Sequence, residues 1–131
     1  MGIYVNPGNT SFQKAVNSKI YIDKTQLITA INERICTSDC FLCVSRPRRF
    51  GKSMAADMLA AYYSRGCDSN DLFSGKKIEK ADSFKTHLNQ HNVIRLDVQQ
   101  FLFHESHLDI FIDRIQEAVI RELRAIFGDY F

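Results

Sequence analysis

The chain has 131 residues, 45% of them hydrophobic and 24% charged, with a formal net charge of +2. That composition suits one domain with an ordinary globular core, and the charge is too small to argue by itself for nucleic acid or a membrane surface. No apolar run approaches the ~20 residues that span a bilayer, and the first residues lack the basic and apolar regions of a secretory signal, so the expectation is a cytoplasmic protein with no membrane partner.

Asn6-Pro7-Gly8-Asn9 signals a turn, after which Ser11 is placed to cap a short helix ending at Val16. Tyr21 and Ile22 read as extended. Asp23 is expected as the next N-cap, with Gln26 completing a capping box and Leu27, Ile28, Ile31 and Ile35 at helical spacing. Thr37-Ser38-Asp39 breaks that helix. Residues 41–44, Phe-Leu-Cys-Val, are apolar on both faces, as in a buried parallel strand. The four cysteines, Cys36, Cys40, Cys43 and Cys67, read as reduced thiols in a cytosol. Cys40 and Cys43 have C-x-x-C spacing, but residues three apart on a strand face opposite ways and no second ligand pair follows. Buried or edge thiols are therefore expected.

The stretch that follows carries the chemistry: Arg46, Pro47, Arg48, Arg49, Phe50, Gly51, Lys52 and Ser53, leading into a helix at Met54. Strand, tight loop ending Gly-Lys-Ser, then helix is the layout of a phosphate-binding P-loop. Unpaired N–H groups at a helix start attract phosphate, and Gly51 lets the backbone approach it closely. Lys52 is of a length to reach the β- and γ-phosphates, and the Ser53 hydroxyl is a Mg²⁺ ligand type. Arg46, Arg48 and Arg49 add guanidinium groups suited to phosphate oxygens. Arg46 stands where the pattern G-x-x-x-x-G-K-[ST] has its first glycine, and Pro47 removes one N–H donor.

The helix after the loop places Met54, Met58, Leu59, Ala61 and Tyr62 inward and ends at Gly66. Residues 67–82 read as a loop in which Lys76, Lys77 and Lys80 form a basic patch, solvated in the preferred reading, with a nucleic-acid phosphate contact as the alternative. A short helix is expected over 83–89, and His87 and His91 read as surface histidines, since no third metal ligand is placed beside them. Residues 93–98 form the second expected strand. Its Asp97 imitates the Walker B carboxylate that holds Mg²⁺, but no Glu stands beside it; a structural role at the strand end is the preferred reading, and Asp97 is the remaining catalytic candidate. Residues 107–127 form one long amphipathic helix with Leu108, Phe111, Ile112, Ile115, Val119, Leu123 and Ile126 in register. Asp109 and Asp113 read as its solvated face.

The octet from Arg46 to Ser53 resembles the RPRRFGKS signature of the predicted AAA-ATPase-like family, prokaryotic P-loop proteins often fused to a PD-(D/E)XK nuclease-like domain. Tyr21-Ile22-Asp23-Lys24-Thr25 is similar to the family's Y-V-D-K-T element, and Leu72-Phe73-Ser74-Gly75 with Ile78 to its F-x-G-x-x-I element. In that family the missing first glycine is normal. The resemblance implies ATP and Mg²⁺ as cofactors, phosphates held by Arg46 to Met54, Mg²⁺ by Ser53, and a base contact from Tyr21 or Ile22.

The expected fold is α/β: a P-loop NTPase-like three-layer αβα core with parallel strands. Residues 1–131 read as a single domain, the N-terminal portion of an ATPase core without a later Asp-Glu strand or arginine finger. No Glu-x-Lys or Asp-x-Lys triplet occurs, so no nuclease site is read in this chain. Two functions stay open here: a nucleotide-binding module, in an oligomer or beside a nuclease-like partner, with hydrolysis weak or absent; or a basic module binding nucleic-acid phosphates without nucleotide.

Overall fold

The computed structural model describes residues 2–45, 52–102 and 108–128. Its helices are α1 (Thr10–Val16), α2 (Gln26–Asn32), α3 (Lys52–Tyr63), α4 (Asn70–Phe73), α5 (Phe84–His87), α6 (Val98–Leu102) and α7 (Leu108–Phe127), with a 3₁₀ turn at Lys77–Lys80. Among the described residues there is no named strand. The only β pairing there is two isolated bridges, Val5 with Ile94 antiparallel and Ser64 with His91 parallel.

This overturns the expected three-layer αβα core with parallel strands. The reason lies in what an apolar run encodes. It asks for burial on both faces, but a strand is stable only when a neighbour supplies its hydrogen bonds. Residues 93–95 find that neighbour in the N-terminal segment: the Asn6 N–H donates to the Val93 carbonyl at 2.7 Å and the Arg95 N–H to the Tyr4 carbonyl at 2.8 Å. Residues 41–45 make no backbone hydrogen bond to other described residues. Phe41 is 93% exposed, and Leu42 and Val44 are exposed with it. Cys36, Cys40 and Cys43 are exposed free thiols, not buried ones, and Cys67 is half-buried.

The core lies where helix periodicity met aromatic side chains. Phe12, Ile28, Met58, Ala61, Tyr62, Tyr63, Phe73, Ile78 and Phe84 form one buried cluster. Phe12 stacks on Phe73 with centroids 5.1 Å apart, and Tyr62 meets Phe73 edge-on at 5.5 Å. The Tyr62 hydroxyl donates to the Phe84 carbonyl at 2.6 Å, so a large ring is buried without orphaning its polar end. The expected loop over 67–82 is thus more ordered than its composition suggested. Phe73 and Ile78 are fully buried, and α4 and the 3₁₀ turn form around them.

Two caps shift from their expected places. Ser11 lies inside α1, whose N-cap position is Asn9, and the N-cap position of α2 is Thr25 instead of Asp23, without a side-chain capping bond. α2 also stops at Asn32, short of Ile35. Gly66, at φ +88°, closes the turn after α3 in the left-handed conformation expected of it.

α7 packs against α6 and also holds the N-terminal segment. The Glu122 carboxylate accepts the backbone N–H groups of Ile3, Tyr4 and Val5 at 2.7, 2.8 and 2.9 Å. Burial pushes the Glu122 carboxyl up, and those three donors outweigh it and hold the group below its ordinary range.

Candidate functional site

Arg46, Pro47, Arg48, Arg49, Phe50 and Gly51 lie outside the described residues. The described part of the predicted nucleotide site at this loop is Lys52, Ser53 and Met54, all exposed, which open the twelve-residue helix α3. The first turn of α3 contains no acidic residue that would compete with an anion for its N–H groups.

Two other segments flank that turn. Tyr21, Ile22 and Lys24 line a narrow crevice with Phe12, Met54, Ala55 and Met58, which brings the expected base-contact residues beside the start of α3. The Tyr21 hydroxyl is buried and finds no hydrogen-bond partner among the described residues. Burial, then the nearby Asp23 carboxylate, pushes the phenol up to about 12. Its ring packs edge-on to Phe12 at 6.1 Å, and the Lys76 ammonium sits 5.4 Å from its centroid.

On the other flank runs the 93–97 segment. Arg95 pairs with Asp57 at 2.7 Å, and its second arm reaches the Ser53 carbonyl at 3.5 Å. Burial pushes the Asp57 carboxyl up, and the Arg95 charge offsets only part of that. Sequence reading missed both residues. The available signal was that Asp57 falls one helical turn after Ser53, on the same face of α3. Two residues beyond Arg95, the Asp97 carboxylate accepts the Gln99 N–H at 3.1 Å at the entry to α6.

Asp23 and Thr25 build a clasp behind the crevice. One Asp23 oxygen accepts the Thr25 N–H at 2.9 Å and the Thr25 hydroxyl at 2.6 Å; the other accepts the Lys77 N–H at 2.9 Å. The Thr25 hydroxyl oxygen in turn accepts the Ile78 N–H at 3.1 Å. Burial raises the Asp23 carboxyl, but the Thr25 hydroxyl and the two N–H donors outweigh it and set it below its ordinary value. The two short stretches that resembled family elements upstream and downstream of the loop are therefore hydrogen-bonded to each other.

The remaining candidates lie apart. His87 Nδ1 and His91 Nε2 are 3.0 Å apart, and among the described residues no group of three or more His, Cys, Asp or Glu side chains could hold a metal. A cleft of about 870 Å³ opens between Tyr4, Phe101 of α6, and Ile110, Asp113 and Arg121 of α7. Neither Lys52 nor Ser53 lines it.

A sequence model of predicted AAA-ATPases matches residues 7–128. The chain belongs to the predicted AAA-ATPase family. No curated protein and no solved structure matches it. Membership in an AAA-ATPase-like family implies use of nucleotide and Mg²⁺ in general terms. Among the described residues, no helix is long and apolar enough to cross a membrane.

Proposed function

We propose that this chain is a nucleotide-binding module that holds ATP with Mg²⁺ at the start of α3. The observation that carries the reading is the exposure of Lys52 and Ser53 as the first residues of a twelve-residue helix, within a chain matched by an AAA-ATPase family model. A lysine and a hydroxyl at a helix start, with the positive end of the helix dipole and no acid in the first turn, fit a triphosphate and its hard cation. When bound, Mg²⁺ neutralises phosphate charge.

In this reading Lys52 pairs with the β- and γ-phosphates and Ser53 offers its hydroxyl oxygen to the metal. The loop from Arg46 to Gly51 supplies guanidinium groups and backbone donors. Tyr21 and Ile22 border the start of the helix, where Ile22, 67% exposed, offers an apolar surface to the base. Asp97 is engaged at the entry to α6 and has no Glu beside it, so hydrolysis is expected to be slow.

The test is a titration of fluorescent ATP with and without Mg²⁺ on the parent and on Lys52→Ala. Mg²⁺-dependent binding that Lys52→Ala removes supports the reading. Equal binding by the two proteins overturns it.

A further inference from the structure

We propose that Arg95 is a positioning residue for the phosphate-binding turn, acting through its ion pair with Asp57 and its reach to the Ser53 carbonyl. The inference rests on the nucleotide-site reading above. Ser53 and Asp57 stand one turn apart on α3, and a single guanidinium spans both, at 3.5 Å and 2.7 Å. The Arg95 backbone is itself held, since its N–H donates to the Tyr4 carbonyl. The clamp is therefore anchored outside the helix it grips. Arg95 touches no expected ligand atom; it fixes the turn that presents the Ser53 hydroxyl. The planar fork suits two acceptors at once, which a lysine ammonium on a flexible stem does less well.

The contribution should show where Ser53 acts, in the Mg²⁺-dependent part of ATP affinity. Phosphate attraction by Lys52 alone should be nearly indifferent to it. The experiment compares parent, Arg95→Ala, Arg95→Lys, Asp57→Asn and Lys52→Ala, each checked for helicity by circular dichroism. ATP affinity is measured with Mg²⁺ and with EDTA, and amide exchange over residues 54–57 is followed without nucleotide.

Arg95→Ala is expected to weaken Mg²⁺-ATP binding about fivefold, the size of one partly exposed charge-assisted contact, with EDTA affinity changed less than about twofold. Exchange over 54–57 should quicken. Arg95→Lys should recover part of both effects, and Asp57→Asn should reproduce part of the loss. If Arg95→Ala does not fold, the Arg95→Lys and Asp57→Asn proteins carry the comparison. Parent-like Mg²⁺-ATP affinity in the folded variants, or equal losses with and without Mg²⁺, overturns the proposal. If Lys52→Ala also binds like the parent, the nucleotide-site reading fails instead.

Discussion

Lys52→Ala should lower ATP affinity about tenfold or more, because a charge-assisted contact to phosphate is worth ~1.5–3 kcal/mol, while melting stays near the parent value since the side chain is exposed. Fluorescent-ATP titration and thermal melts check both halves. Asp23 makes the opposite prediction, since its three donors are structural. Asp23→Ala should cost about 2 kcal/mol in urea unfolding by leaving the Thr25 and Lys77 N–H groups without their acceptor. Because its folded pKa lies below the ordinary 3.8, the stability it adds is full above that value and is lost as pH falls through the lower native one. An acid titration should show this loss in the parent and not in Asp23→Ala. At this scale a local spacing singles out Lys52 and Ser53, and the structure describes both as exposed residues opening α3. Asp57 and Arg95 were not legible, because each looks like an ordinary surface charge until the chain brings them together.

The longer helices were legible; the strands, and the short helices α4 and α6, were not. The period of α7 runs almost as expected, from Leu108 to Phe127, since it is a property of consecutive residues. The run at 41–44 has the composition of a buried strand, but a pairing partner is not written into the run itself. Phe41→Ser tests the correction. At 93% exposure it should change unfolding free energy by less than ~0.5 kcal/mol, whereas removing a buried core Phe costs ~3–5 kcal/mol. Urea denaturation of the two proteins distinguishes these. Glu122 was unreadable for the same reason as Arg95, since nothing in the pattern of α7 says that one of its polar residues receives the N-terminal backbone. Glu122→Ala should quicken amide exchange at residues 3–5 and cost about 1 kcal/mol, with circular dichroism of α7 nearly unchanged.

For the whole molecule, family membership was legible from three short stretches, and two of them turn out to be clasped through Asp23 and Thr25. The architecture was not legible, because it depends on which segments pair. Catalysis should follow from the groups this chain offers. Phosphoryl transfer needs a metal-bound carboxylate and a group that orients water, and an arginine finger alone contributes ~10³–10⁵ in rate. Phosphate release by the purified chain should therefore stay well below ~1 s⁻¹ and close to that of Lys52→Ala. A faster turnover abolished by Lys52→Ala would contradict this and make Asp97→Asn the next variant.

The stretch from Asn89 to Arg95 touches α3 at both ends. The N–H groups of Asn89 and His91 donate to the carbonyls of Tyr62 and Tyr63, and Arg95 grips Asp57 and Ser53. From His91 to Arg95 an extended chain covers about 13 Å. Along the helix, Tyr63 lies about 9 Å from Asp57 and about 15 Å from Ser53. The string and the bow are thus matched in length. A helix tied near both ends to one segment is held against sliding along its own axis. Lengthening the string by one residue would slacken it and turn the guanidinium to the wrong side of the chain.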